Sequence, residues 1–182
     1  DTVQTLISLT LATGLENATI KGSDNLDALG NGAGNVLIGN DGANKLFGYG
    51  GADIIRGEGG NDKLSGGSND DQLFGGAGRD AIYANSGSDL IVGGEGKDLL
   101  VGGAGVDTFQ FNRGDGFDTV KNFELGVDKV DVSDFGLENF AELELLFRDY
   151  FGRANIRLDG TDDLVRFIGV TSDQLTEDDF IL

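Results

Sequence analysis

The chain has 182 residues, 32 of them glycine, and carries 32 acidic against 13 basic side chains for a net charge of -19. That balance argues against nucleic-acid phosphates and anionic lipid surfaces as partners and in favour of cations. Cysteine and histidine are both absent, which excludes a disulfide framework, a thiolate metal site, a Ser-His-Asp triad and a histidine-based zinc site within the chain.

No apolar run approaches the length of a membrane span and no signal peptide opens the chain. The first residue is not methionine, so the sequence reads as an excised segment with an upstream domain of the same polypeptide before it. Glycine at this density is usual in disorder or collagen, but the G-X-Y triplet is missing, proline is absent and large aliphatic residues recur throughout. A repeat fold remains. Residues 1–29 form an N-terminal lead-in ending in GSDNLDAL, a degenerate unit one residue out of phase with the regular units after it.

From Gly30 to Gln110 nine units of nine residues tile the chain without insertion: GNGAGNVLI, GNDGANKLF, GYGGADIIR, GEGGNDKLS, GGSNDDQLF, GGAGRDAIY, ANSGSDLIV, GGEGKDLLV and GGAGVDTFQ. Their eighth position is always a large apolar residue: Leu37, Leu46, Ile55, Leu64, Leu73, Ile82, Ile91, Leu100 and Phe109. Their sixth is Asn35, Asn44, Asp53, Asp62, Asp71, Asp80, Asp89, Asp98 and Asp107. The glycine-rich first half of a unit cannot continue a helix, whereas tails such as DIIR and DLIV suit short strands, so each unit reads as a turn followed by a strand.

One unit buries almost nothing, and neighbours must stack to close a core. Two units then make one coil of a flattened right-handed parallel roll, an all-β solenoid whose successive coils lie at the strand spacing of roughly 4.8 Å. The sixth positions sort into two edge ladders: Asp53, Asp71, Asp89 and Asp107 on one, Asn44, Asp62, Asp80 and Asp98 on the other. Carboxylates stacked so closely repel and raise one another's pKa unless a cation lies between them. Calcium meets that need with six to eight oxygen ligands, drawing on carbonyls exposed by the glycine turns; magnesium, with tighter octahedral demands, fits less well. The candidate metal set is therefore these seven aspartates and Asn44, with the turn glycines Gly51, Gly60, Gly67, Gly76, Gly78, Gly87, Gly94, Gly96, Gly103 and Gly105. Phe47, Phe74 and Tyr83, at ninth positions, read as partly buried against neighbouring strands rather than as a sugar-binding surface.

After Gln110 the rhythm stops, and residues 111–182 read as a capping region. FDTVKNF, DKVDVSD, ANIRLDG and DLVRFIG alternate like strands, and LENFAELELLF (137–147) suits a short helix with Leu137, Phe140 and Phe147 near one face. Asp115 and Asp118 could add a separate ion site in the cap, but a turn with solvated carboxylates is the preferred reading, and Asp159, Asp162 and Asp163 read the same way. Arg148, Asp149 and Tyr150 form the one cluster in the cap that invites a catalytic reading, but no catalytic constellation surrounds it, and the chain does not read as an enzyme.

The units resemble the nonapeptide G-G-x-G-x-D-x-U-x of the repeats-in-toxin (RTX) proteins, in full at the turns GGAGRD (75–80), GGEGKD (93–98) and GGAGVD (102–107). Asn69 replaces a glycine of the pattern, and Ala84 and Asn85 replace another pair; asparagine tolerates the left-handed backbone such turns need. The lead-in is similar to segments that precede such repeats, and the terminal DDFIL, with Asp179, Phe180, Ile181 and Leu182, resembles the C-termini of serralysin-like proteins exported by type I machinery. The resemblance implies a right-handed parallel β-roll with a β-rich cap containing a short helix, several bound calcium ions, the type I secretion machinery as partner, and a place outside the cell or at its surface. It implies a module that stays unfolded in a low-calcium cytoplasm, folds on calcium after secretion, and stabilises or chaperones a larger protein. Two further roles are compatible with it: a C-terminal substrate-binding module of a secreted polysaccharide-active or hydrolytic enzyme, or an adhesin or surface-layer attachment module with a cell-surface ligand.

Overall fold

The computed structural model describes residues 1–144, 146–158 and 163–182. In the first part of the chain the strands are β1 (Thr2–Thr5), β2 (Leu9–Thr10), β3 (Asn17–Ile20), β4 (Asp27–Leu29), β5 (Val36–Ile38), β6 (Lys45–Gly50) and β7 (Ile54–Gly60). The central repeats give β8 (Lys63–Ser68), β9 (Gln72–Gly78), β10 (Ala81–Ser86), β11 (Leu90–Gly96), β12 (Leu99–Ala104) and β13 (Thr108–Gln110). The cap adds β14 (Phe117–Lys121), β15 (Lys129–Asp131), the helix α1 (Phe140–Glu144), β16 (Phe147–Asp149), β17 (Ala154–Arg157), β18 (Leu164–Ile168) and β19 (Phe180–Ile181).

Strands alternate between two sheets, as two units per coil require. One sheet runs β1-β3-β5-β7-β9-β11-β13-β15-β19, the other β16-β17-β18-β14-β12-β10-β8-β6-β4-β2. All pairings are parallel except β16 with β17 and β17 with β18. Within the repeats the register advances by one coil per rung: Leu37 faces Ile55, then Leu73, Ile91 and Phe109 on one sheet, while Leu46, Leu64, Ile82 and Leu100 align on the other. Each of these side chains is fully buried, which contributes roughly 1.5–3 kcal/mol apiece. Two inward columns, one per sheet, are the core.

Two expectations need correction. The repeat strands are longer than the tails of the units, because β9 and β11 stay paired through the turn at Gly94↔Gly76, Glu95↔Ala77 and Gly96↔Gly78; stacking of identical turns aligns their backbones as strands are aligned. The helix covers Phe140–Glu144 rather than 137–147, since the chain must extend at Phe147 to pair β16 with β17.

The lead-in is rolled like the repeats. Ala18 pairs with Leu37 and Ala28 with Leu46, so small residues continue the inward columns where the nonapeptide pattern has faded. At the other end Val120 and Val130 extend the columns, and Phe123 seals them, packing at 6.0 Å on Phe109 and edge-on at 5.2 Å to Phe167. Phe180 of β19 sits 5.7 Å from Phe140 and 5.9 Å from Phe147, which ties the C-terminus to the helix and to β16. No helix among the described residues is long and apolar enough to cross a membrane.

Candidate metal centre

The sixth position of a unit lies immediately before a strand, and its side chain points inward, as the eighth does two residues on. At the bend, the carboxylate meets the backbone of the neighbouring coil. Oδ1 of each aspartate accepts the N–H of the sixth residue one coil earlier: Asn35 donates to Asp53 at 2.7 Å, Asp53 to Asp71 at 2.8 Å, Asp71 to Asp89 at 2.7 Å and Asp89 to Asp107 at 3.1 Å. On the opposite edge Asn44 donates to Asp62 at 2.7 Å, and Asp62 to Asp80 and Asp80 to Asp98 at 2.8 Å.

Each of these bonds uses one carboxylate oxygen. The other, Oδ2, is buried without a hydrogen-bond partner in Asp53, Asp62, Asp71, Asp80, Asp89, Asp98 and Asp107, and these seven are the unpartnered buried side-chain atoms among the described residues. An ionised carboxylate taken out of water and half-satisfied is costly, so its proton is held more tightly. Burial pushes Asp53 up to about 6 and Asp62, Asp71, Asp98 and Asp107 up to about 7, against the pull of the accepted N–H, with neighbouring ladder aspartates adding to the rise for Asp62, Asp71, Asp98 and Asp107. Asp80 and Asp89 are raised for the same leading reason.

The turns bring backbone oxygens to the same edges. All ten candidate turn glycines have positive φ, and at several the carbonyl of the previous coil lies directly beneath the α-carbon. At Gly78, with φ at 136°, a β-carbon would strike the carbonyl oxygen of Gly60. A different constraint acts at the first position of a unit: a β-carbon on Gly66 would run into Asp71 Oδ2, so this glycine makes room for the carboxylate. Asn69 and Asn85 take φ of 77° and 82°, as the departures from the pattern required. Sequence reasoning missed that Tyr49 and Glu58 do the same at 76° and 74°; only their second position in the unit signals it.

Several carboxylates in the cap belong to the ladders or to other clamps and are not solvated. Asp118 accepts from Asp98 N at 3.0 Å and Asp128 from Asp107 N at 3.1 Å, each 1% exposed. Burial raises both, Asp118 up to about 8. Asp115 is also buried and its Oδ2 takes the Asn112 N–H. Asp163 accepts the N–H groups of Gly114 and Gly116 at 2.9 Å, whereas Asp159 and Asp162 lie outside the described residues. Asp179 is buried on Gly126 N and Thr176 N, so the terminal acidic motif is built into the fold. The expected partial burial of Phe47, Phe74 and Tyr83 is present, with Arg56 over Phe74 at 4.3 Å and Lys63 over Phe47 and Tyr83.

Asn44 behaves unlike the aspartates. Its Oδ1 accepts from Asn40 N at 2.9 Å and its Nδ2 donates to Leu26 O at 2.7 Å, so both ends of the amide have partners within the protein. Among the described residues no three acidic side chains converge into one cage. An ion at these edges would therefore take carboxylate oxygens from stacked aspartates and the remainder from turn carbonyls, an all-oxygen set that suits calcium. The orphaned Oδ2 atoms are the observation that the residues present fit such an ion.

The profile of the RTX calcium-binding nonapeptide repeat (four copies) matches residues 29–64, 48–82, 57–91, 65–100 and 83–120, together about half of the chain. No curated protein sequence matches. Among solved structures, similarity extends to the extracellular lipase LipA from Serratia marcescens, at 16% identity and a TM-score of 0.44 over 91% of this chain and 41% of that one. It extends also to the AlgE6R3 subunit of the Azotobacter vinelandii mannuronan C5-epimerase, at 23% identity and a TM-score of 0.35 over 94% of this chain and 86% of that one. The chain thus spans less than half the length of the lipase.

Proposed function

This chain belongs to the RTX calcium-binding nonapeptide repeat family, and from that premise we propose that its roll is a calcium-driven folding module of a protein exported by type I machinery. Asp53, Asp62, Asp71, Asp80, Asp89, Asp98 and Asp107 would hold the ions through Oδ2, with turn carbonyls at Gly51, Gly60, Gly67, Gly76, Gly78, Gly87, Gly94, Gly96, Gly103 and Gly105 completing the shells. Calcium, when bound, supplies the positive charge that offsets the stacked carboxylates and, binding the native state alone, stabilises it by mass action. Without it, the same aspartates must either take up protons or repel across neighbouring coils, and the glycine-rich turns have too much backbone entropy to hold the roll closed.

The buried, unpartnered Oδ2 row carries this reading: a fold complete without metal would have no reason to desolvate seven carboxylate oxygens and leave each unbonded. A chain that is unfolded at low calcium suits passage through a secretion channel, and folding outside would let it stabilise or chaperone an upstream domain. The test is a calcium titration of metal-free protein followed by far-ultraviolet circular dichroism, with magnesium as control. A cooperative gain of β structure with calcium alone is expected. Full β structure in chelator at neutral pH would reject the folding role.

A further inference from the structure

In a chain of net charge -19, the described residues of the cap gather basic side chains on one face. The three cap strands β16, β17 and β18 set Arg148 opposite Asn155 and Asn155 opposite Arg166, with Arg157 opposite Leu164. Opposed and alternate residues share a face, so Arg148, Arg157 and Arg166 project together, with Leu146, Leu164 and Tyr150 between and beside them. They line a hollow of about 430 Å³. Asp149 does not join them: its carboxylate is turned to Ser172, accepting from the backbone N–H at 3.0 Å and from Oγ at 2.9 Å.

The hollow is built, not merely charged. Asn155 is 5% exposed. Its Oδ1 accepts from Arg166 Nε at 3.0 Å and its Nδ2 donates to Arg153 O at 2.8 Å, while the Arg166 guanidinium lies 4.6 Å over the Phe117 ring. The arginine fork is thus fixed in plane before any ligand arrives, which lowers the entropy lost on binding. The hollow continues across β14 and β12 through two neighbouring ones, the first sharing Arg157 with it and the second sharing Lys97 with the first and also meeting Arg79 and Lys121. The acid bordering them among the described residues is Asp98, whose Oδ1 is bound into its ladder.

We propose that this face binds an extended peptide segment with an acidic side chain at every fourth position and an apolar one midway between. An extended peptide repeats its same-side residues at roughly 6.6–6.8 Å, the spacing of the side-chain rows along β16–β18 themselves. Rows that alternate arginine with leucine or tyrosine therefore match a ligand whose one side alternates carboxylate with apolar groups. Arginine forks take carboxylates bidentately.

The test uses the whole chain in calcium buffer and a fluorescein-labelled peptide repeating Glu-Ser-Val-Ser, read by fluorescence anisotropy. Saturable binding is expected, weakened about tenfold by Arg157→Glu, an exposed position, and by a rise to high salt. Asn155→Ala, acting by positioning Arg166, should weaken binding less, and its loss should shrink at Asn155→Ser. Backbone amide shifts on peptide addition should fall on β16–β18 and Phe117 in the unmodified protein, which keeps the test independent of how any variant folds. Absence of binding, shifts elsewhere, or an unchanged affinity in Arg157→Glu would overturn the proposal. So would displacement of the peptide by inorganic phosphate or by a polyuronate at equal charge concentration, which would make the face a general anion site.

Discussion

The turns around Asn35 and Asn44 and those from Asp53 to Asp107 occupy equivalent places in one roll, yet they close by different means. In the first pair, asparagine bridges the bend alone. Asn31 and Asn40 each accept from the residue two further on and donate to carbonyls of the coil before, and no residue there needs positive φ. In the acidic turns the second and fourth positions turn left-handed and every sixth-position aspartate keeps a buried oxygen without a hydrogen bond. A side-chain amide has a donor and an acceptor, so it satisfies both walls of the bend; a carboxylate has acceptors only and needs a positive partner. The contrast separates a self-sufficient turn from one whose carboxylate finds no second partner among the described residues.

The strongest way to break that contrast is to remove calcium and read hydrogen exchange by segment. At about pH 7.5 the acidic coils, 48–121, should lose protection well before the asparagine coils; equal loss in both would end the distinction. Acid should partly rescue them. Because burial raises the folded-state pKa of these aspartates from 3.8 to about 6 to 7, their uncharged form favours the fold. The stabilisation is full below 3.8 and disappears as pH rises through about 7, so metal-free protein should be more protected at about pH 5 than at about pH 7.5.

A smaller effect comes from the backbone. Gly78→Ala, which forces a β-carbon onto the Gly60 carbonyl at positive φ, should lower stability in calcium by at least about 2 kcal/mol. Gly32→Ala, with nothing within 4 Å of the added carbon, should stay within about 0.5 kcal/mol of the parent. Urea denaturation of both variants in calcium checks the pair. The smallest contrast is between side chains. Asp71→Ala with Asp89→Ala should raise the calcium midpoint about tenfold and flatten its cooperativity, as two linked sites are lost. Asn44→Ala should leave the midpoint near its parent value and cost about 1 kcal/mol through its bonds to Asn40 and Leu26. A matching shift in calcium midpoint for both would erase the difference between amide and carboxylate turns.

The two sheets, their inward columns and the seven orphaned carboxylates were legible because all three obey one nine-residue period. Leu37 and Asp53 need no more than counting. Asp118 and Asp128 escaped because the ladder continues while the period does not: the steps from Asp98 and Asp107 are 20 and 21 residues instead of 18, with the extra residues looped out at the bends. Residues 1–29 read as a lead-in for a related reason. Ala18 and Ala28 hold the inward places of Leu37 and Leu46, and alanine gives no hydrophobic signal strong enough to mark a strand. The cationic face was invisible as a site, since Arg148, Arg157 and Arg166 meet only through antiparallel pairing that no repeat announces.

The attachment of the cap to the roll also bears on how the gene can change length. β14 joins the sheet of β12, and β15 joins that of β13, so the cap takes its partners from the last coil. Gain or loss of a single nonapeptide upstream would turn that coil and the cap together by half a coil, and Phe123, Asp118 and Asp128 would keep their partners. Relatives that keep this cap are therefore free to differ in length by single units of nine residues, with only the lead-in changing sides relative to it.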